Sequence, residues 1–386
     1  MSFSILWWSL SALALFSLFV IMYFNVNKLL ETVLSAIPLI FLITKITLIP
    51  FIIIDDLYRS LKWLISRFFT TPEQKKKIPE ALEPGIPRSK FILQLGIGVA
   101  AIPLSALTKG VISGAYDYQV KRQKLYFKNL PKSFEGIKVA QISDIHSGSF
   151  YNRIAVQGGV DLLLQEKPDV VFFTGDLVND LAAEMKEYQS IFSKVKAPLG
   201  VFSILGNHDY GDYYFDRFKL DGVGNISKEK NFRDLKEIHK NMGWDLLLND
   251  HKRLRVDNEE IAIIGVENWG VNNQNNSGRL DLAMKDTNDL PVKLLLSHDP
   301  SHWRGEVLHK YPQIDAMFSG HTHGGQFGVQ TASFQWSPVE YRYKEWAGLY
   351  KEGNQQLYVN VGFGFLGYPG RFGILPEITI FEFLRG

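Results

Sequence analysis

Three long apolar runs occupy the start of the chain, and short apolar runs separated by polar turns occupy the rest. Ser2 to Phe24 holds 23 residues without a charge, long enough to cross a bilayer as a helix. It lacks the positive start of a signal peptide and exceeds the usual apolar length of one. Thr32 to Ile54 is a second run of the same length, interrupted by Lys45, Pro38 and Pro50, which membrane helices tolerate when neighbours satisfy the backbone. Phe91 to Leu107 is a shorter third run. Leu57 to Phe69 has Leu57, Leu61, Leu64, Ile65 and Phe68 on one helical face and Arg59, Lys62, Ser66 and Arg67 on the other. That pattern suits a helix lying in the headgroup region, with an ordinary solvated amphipathic helix as the alternative. Residues 1–110 are thus expected to form a membrane anchor of about three hydrophobic helices with a basic loop over 55–90.

From about Tyr118 the pattern becomes that of a globular α/β domain, expected over 118–386. Ala182 to Val195 and Asn231 to Met242 carry helical periodicity, and apolar runs of 4–8 residues read as buried strands. Five of these runs end in side chains that bind metals. "IKVAQIS" leads to Asp144 and His146, "DVVFFT" to Asp176, and "VFSIL" to Asn207, His208 and Asp209. "VKLLLS" leads to His298 and Asp299, and "IDAMFS" to His321 and His323. Strands that lie side by side in a sheet share their carboxyl edge, the usual ligand crevice of α/β proteins. Residues scattered along the chain can therefore converge there.

Charge adds a topology and removes one partner. Arg59, Lys62, Arg67, Lys75, Lys76, Lys77, Arg88 and Lys90 lie between the second and third runs, which reads as a cytoplasmic loop. If 91–107 spans, the catalytic part lies outside the cytoplasm; if it does not, that part is cytoplasmic. The net charge of +2 is unevenly divided. Residues 1–120 hold 11 Lys/Arg and 7 Asp/Glu, leaving 31 and 33 for the remainder. Nucleic acid is therefore not an expected partner. The absence of cysteine removes thiolate sites and disulfides.

The ordered motifs "DIH", "GD", "GNHD", "SHDP" and "GHTHGG" resemble the calcineurin-like metallophosphoesterase superfamily. The apolar start and the tail "GFGFLGYPGRFGILPEITI" resemble its bacterial membrane-associated phosphohydrolases. The resemblance implies an α/β fold, a two-sheet β-sandwich flanked by helices, behind an N-terminal transmembrane region. It also implies two divalent metals. Asp144, His146 and His323 would hold one, Asn207, His298 and His321 the other, and Asp176 would bridge them. Imidazole, carboxylate and amide ligands suit Mn, Fe, Zn or Co. His321 and His323 are expected to share a face as residues i and i+2 of an extended segment, with the flanking glycines permitting close approach.

His208 would protonate the leaving group. Relatives orient that histidine with an aspartate in "GD-x-x-D", where this chain has Asn179, with Asp180 one later. Arg371 is a candidate for bidentate phosphate binding. His239 is assigned to a helix, His251 to a polar turn, and His302 and His309 to no site. The activity implied is phosphoester hydrolysis by a metal-bridging hydroxide attacking in line. The expected substrate is a lipid-linked or otherwise membrane-proximal phosphodiester or pyrophosphate. A nucleotide-activated acylated sugar of the UDP-diacylglucosamine type is the alternative substrate. A silent membrane scaffold is the alternative class, disfavoured because every ligand position is filled. The oligomeric state is left open.

Overall fold

The structure, a computed structural model, describes residues 2–24, 26–68, 88–218, 222–223, 226–271, 276–331 and 333–386. It divides into two compact units, Met1–Val111 and Ile112–Gly386.

The first unit contains α1 (Ser2–Tyr23), α2 (Lys28–Phe68) and α3 (Arg88–Ile112). The Asn27 side chain caps α2 by accepting the Leu30 N–H at 2.9 Å. Helix α2 runs for 41 residues, about 60 Å at 1.5 Å per residue, roughly twice a bilayer's hydrocarbon thickness. The amphipathic stretch from Leu57 is therefore not a separate helix but the continuation of α2. No glycine or proline interrupts 51–68, and an Asp55–Arg59 ion pair of 2.7 Å one turn apart bridges the junction. Within α2 and α3, Lys28–Ile65 and Lys90–Ile112 are long and apolar enough to cross a membrane. Helix α3 thus extends well past the predicted 91–107. Lys75, Lys76 and Lys77 of the basic loop lie outside the described residues.

The second unit is built on two six-stranded sheets. The first contains β1 (Gln119–Phe127), β2 (Lys138–Ile142), β3 (Val170–Phe173), β4 (Val201–Ser203), β7 (Asp245–Leu246) and β16 (Glu377–Arg385), ordered β1-β16-β2-β3-β4-β7. The second contains β8 (Asp250–Val256), β9 (Glu259–Gly265), β10 (Lys293–Leu296), β11 (Ala316–Ser319), β14 (Gly348–Glu352) and β15 (Gln355–Val359), ordered β14-β15-β11-β10-β9-β8. Strands β5 (Gly222–Val223) and β6 (Ile226–Ser227) form one small hairpin, and β12 (Val329–Gln330) and β13 (Gln335–Trp336) another. Neighbours β2, β3 and β4 are parallel, as are β9, β10, β11 and β15.

Alternation along each strand builds three cores, because successive side chains leave a sheet on opposite faces. Val170, Phe172, Leu294, Leu296 and Phe318 pack between the sheets. Val171 and Phe173 pack outward against Val156, Val160 and Leu163 of α4 (Arg153–Gln165). Leu295 and Met317 pack outward against Trp303 and Val307. The result is the expected sandwich with covered outer faces.

Further helices are α5 (Asp212–Phe218) and α6 (Lys228–Met242). Helix α6 starts on the Ser227 hydroxyl and ends at Gly243, whose φ of 76° suits glycine. The predicted helix over 182–195 is instead a 3₁₀ segment, Ala182–Glu187, followed by one α-turn, Gln189–Phe192. The Glu184 carboxylate accepts the N–H groups of Asn179, Asp180 and Leu181, tying this segment to the preceding loop. His251 lies in strand β8 rather than a turn.

Candidate metal centre

Each of the five motif strands delivers its side chains just past its carboxyl end. The strands do not share one sheet edge. Three of them, β2, β3 and β4, belong to the first sheet, while β10 and β11 belong to the second. Convergence comes from the two parallel blocks ending together: the His321 N–H, after β11, donates to both Asp144 oxygens, after β2, at 3.0 Å. The His298 Nδ1, after β10, lies 2.7 Å from the Thr174 carbonyl oxygen, after β3.

Two clusters result. Asp144, His146 and His323 offer ligand atoms within 4.8 Å of one another, as do Asp176, His298 and His321. In the first, His323 Nε2 lies 3.0 Å from His146 Nε2 and 3.3 Å from Asp144 Oδ1. In the second, His321 Nδ1 lies 3.2 Å from His298 Nε2 and 2.8 Å from Asn207 Oδ1. Asp176 Oδ2 reaches into both, 3.4 Å from His146 Nε2 and 3.1 Å from His298 Nε2. That placement suits a bridging carboxylate.

The donor set fits divalent metal ions. His146 Nδ1 faces the Asn179 side-chain oxygen at 3.2 Å, and His298 Nδ1 faces the Thr174 carbonyl. Each of these rings therefore carries its N–H outward and turns the Nε2 lone pair inward. Lone pairs that meet at about 3 Å repel unless a proton or a cation lies between them. The electrostatics agree. Burial opposes charge on His298, yet Asp176 raises its pKa to about 10. Burial likewise opposes charge on Asp176, but His298, His208 and His146 hold its carboxyl well below the usual range. A metal would take the place of the trapped proton.

The backbone here is strained. Asp144, His146, Asp176, His321 and His323 all have positive φ, between 47° and 73°, a region costly for residues with a Cβ. This corrects the picture of "GHTHGG" as an extended segment. His321 and His323, both at positive φ on either side of right-handed Thr322, diverge to different clusters, and the left-handed stretch that starts at His323 continues into Gly324 and Gly325. Gly320 permits the close approach, since a Cβ there would fall 2.2 Å from Asp144 Oδ2.

Several supporting residues were given no role from the sequence. Asp209, fully buried, accepts the N–H groups of Gly206, Asp176, Leu177 and Val178 at 2.8–3.3 Å. It thereby locks the loops after β3 and β4 together. Burial and the charge of Asp176 push its pKa up to about 7. The Tyr343 hydroxyl lies 2.7 Å from His321 Nε2, which leaves Nδ1 as the inward-facing atom. Tyr213 receives the Asn207 side-chain N–H at 3.0 Å and stacks on His208 with centroids 4.5 Å apart.

His208 is oriented by a main-chain group: its Nδ1 donates to the Asn179 carbonyl oxygen at 2.7 Å. Burial lowers its pKa to about 4, against the pull of Asp176. Arg371 does not face an opening. It is fully buried, and its guanidinium donates to the carbonyls of Gly364 and Val361 at 2.8 and 2.7 Å, with Nη1 3.2 Å from the His323 carbonyl oxygen. Its Nη2 also lies 3.2 Å from His323 Nδ1. A side chain so engaged braces the His323 loop instead of reaching for a phosphate. His239, His302 and His309 lie outside both clusters.

Two family models match the chain. "Probable Calcineurin-like phosphoesterase, transmembrane domain" covers residues 2–115, and "Calcineurin-like phosphoesterase" covers residues 137–325. The chain is 28% identical over 295 residues to the metallophosphoesterase YkuE of Bacillus subtilis (strain 168), covering 73% of this chain and 93% of that protein. It is 28% identical over 279 residues to the transmembrane protein with metallophosphoesterase domain of Danio rerio, covering 70% of this chain and 58% of that one. It is 26% identical over 265 residues to the phosphodiesterase YaeI of Escherichia coli (strain K12), covering 68% and 87%.

Proposed function

The chain belongs to the calcineurin-like metallophosphoesterases with an N-terminal transmembrane domain, and on that premise we propose a two-metal phosphodiesterase acting on a membrane-proximal, lipid-linked substrate. The observation that carries this reading is the pair of carboxylate–imidazole clusters sharing Asp176. Asp144, His146 and His323 would hold one ion, and Asn207, His298 and His321 the other. When bound, such ions supply Lewis-acid charge for phosphoryl oxygens and lower the pKa of a water. Their identity is left among Mn, Fe, Zn and Co.

The protein's own groups supply position and a proton. His208, held by the Asn179 carbonyl and stacked on Tyr213, presents Nε2 as the group that protonates the leaving oxygen. Its depressed pKa suits this task once an anionic phosphoester lies beside it, since the added negative charge favours imidazolium. The diester preference draws on the likeness to the phosphodiesterase of Escherichia coli. The membrane-proximal preference draws on the anchor. With α3 crossing and the basic loop inside, the catalytic unit would lie outside the cytoplasm.

The test uses the full chain in detergent with bis(p-nitrophenyl) phosphate and p-nitrophenyl phosphate, with and without Mn²⁺. Metal-stimulated turnover of the diester, about two ions per chain, and loss of both in Asp176→Ala are the expected results. His208→Ala should keep its metal and lose roughly 10²–10⁴-fold in rate with poor leaving groups. Faster turnover of the monoester would reverse the diester assignment. Loss of metal in His208→Ala, with an unchanged rate per bound ion, would remove its acid role.

A further inference from the structure

The small hairpin of β12 and β13 turns its apolar face outward. Its pairing sets Val329 opposite Trp336 and Gln330 opposite Gln335, and the Thr331 N–H closes the turn by donating to the Phe334 carbonyl at 2.8 Å. By the two-residue period, Val329, Phe334 and Trp336 share one face, and Gln330 and Gln335 the other. An antiparallel pair on a protein surface ordinarily lays its apolar face on the core and its polar face in water. Here Gln330 is the residue held against the protein, accepting from the Lys121 ammonium of β1 at 2.8 Å. That ammonium is itself fixed on the buried Glu377 carboxylate at 2.6 Å. Phe334 is 58% exposed and Val329 44%, while Trp336 is half-buried. Phe327, two positions before Val329, stacks on Phe372 with centroids 5.8 Å apart, both half-buried.

The partner of Gln330 ties this face to the anchor. Lys121 stands nine positions after Ile112, the last residue of α3. Nine residues span at most about 32 Å even when fully extended. The hairpin is therefore tethered by a short connection to a helix long and apolar enough to cross a membrane. A patch this small suits lipid better than a protein. A stable protein interface takes about 800 Å² from each partner, more than two side chains and part of a third provide. A bilayer demands no matching shape, and the anchor presents it at high local concentration, so a weak contact suffices. Trp336, an apolar ring with one N–H donor, is of the type that favours the layer between headgroups and hydrocarbon.

We propose that the outward face of this hairpin, formed by Val329, Phe334 and Trp336, docks into the interfacial layer of the bilayer that holds the anchor. Val329 follows His323 by six positions, so docking would hold the loop of the candidate metal centre close to lipid. The contact is separate from the chemistry of that centre and does not depend on the phosphoesterase reading.

The chain has no cysteine, so single cysteines can be placed in the full protein, labelled with a nitrobenzoxadiazole fluorophore and reconstituted in phosphatidylcholine nanodiscs. Three sites are compared. Phe334→Cys lies on the apolar face and Gln335→Cys on the polar face. Asn258→Cys lies in the exposed turn between β8 and β9, at the opposite edge of the second sheet from β14. Lipid carrying a doxyl group near its headgroup should quench the label at 334 roughly threefold more than either other label, as expected for a face buried about 5–10 Å into the headgroup boundary. Aqueous iodide should quench it least. A second measurement needs no label. The Trp336 emission, taken as the difference between wild type and Trp336→Phe, should be quenched by brominated phosphatidylcholine, and Phe334→Asp should remove most of that quenching. Equal doxyl quenching at the three sites overturns the proposal, as does a Trp336 emission that brominated lipid leaves unchanged. A label at 334 shielded from iodide yet untouched by the doxyl lipid would give the face to protein, a second copy of this chain included, and overturn the lipid assignment.

Discussion

His208 Nδ1 lies 2.7 Å from the main-chain carbonyl oxygen of Asn179, while the Asn179 side chain turns the other way, to His146 Nδ1 at 3.2 Å. One residue therefore serves two histidines through two different groups. Substitution can separate them, because only the side chain is removed. Asn179→Ala should weaken metal binding at the Asp144–His146–His323 cluster by roughly tenfold, the scale of a lost outer partner on a ligating histidine. The response of rate to leaving-group pKa should stay as in wild type. Calorimetric metal titration and a series of aryl phosphodiesters measure the two effects. A steeper leaving-group dependence in the variant would show that the side chain, not the carbonyl, sets His208.

Tyr343 should matter to the other cluster. Its hydroxyl holds His321 Nε2 at 2.7 Å, so Nδ1 points toward Asn207 and His298. Tyr343→Phe keeps the ring and removes only that hydroxyl. The expected outcome is about a tenfold loss of affinity for one of two ions and little change for the other. Metal content measured against free-metal concentration reads this directly, and equal weakening of both ions would contradict it.

Asp209 should carry stability rather than turnover. Four backbone N–H groups from two loops end on its buried carboxylate. Asn at this position keeps one acceptor oxygen and places an NH₂ against the remaining donors. Asp209→Asn should cost about 2–4 kcal/mol, since hydrogen bonds to a charged group are worth about 1.5–3 kcal/mol each and some are retained. Urea unfolding compared with wild type checks this, and a change under about 0.5 kcal/mol would remove its bracing role.

His239 makes the fold sensitive to acid. It is fully buried against Phe173 and Trp244, with Nδ1 3.0 Å from the Ser203 hydroxyl. Burial lowers its pKa from 6.5 to about 3. Between those values the unfolded chain takes up a proton that the folded chain refuses. Stability is therefore fully present above about pH 6.5, falls as pH drops, and levels off below about 3. The slope from this one group is at most about 1.4 kcal/mol per pH unit. His239→Gln should flatten that part of the stability profile between pH 6.5 and 4, measured by denaturant unfolding at each pH. A profile as steep as wild type would assign the acid sensitivity to other groups.

Much of the centre was legible in the chain because a ligand must be a particular residue type at a strand's end. Asp144, His146, Asp176, Asn207, His298, His321 and His323 all stand where apolar runs stop, and pattern alone locates such stops. The bracing groups were not legible. Nothing in its own neighbourhood distinguishes Tyr343, which lies 22 positions from its partner His321. The role of Asn179 depends on a carbonyl that every residue possesses. Arg371 read as a phosphate ligand because its guanidinium can pair bidentately with a phosphate, whereas packing buries it under the His323 loop.

By itself the sequence determined the apolar helices, the short apolar runs that become the central buried strands, and the order of the metal-competent residues. These are local properties, set by side-chain chemistry and by periods of 3.6 and 2 residues. Only the tertiary structure decided that the strands carrying the candidate ligands divide between two sheets, that the segment from Leu57 continues α2, and that five candidate ligands adopt positive φ. Each of those outcomes depends on contacts between distant segments. A strained backbone angle persists only where surrounding packing and hydrogen bonds over-determine it, and those partners are brought together only when the chain has folded.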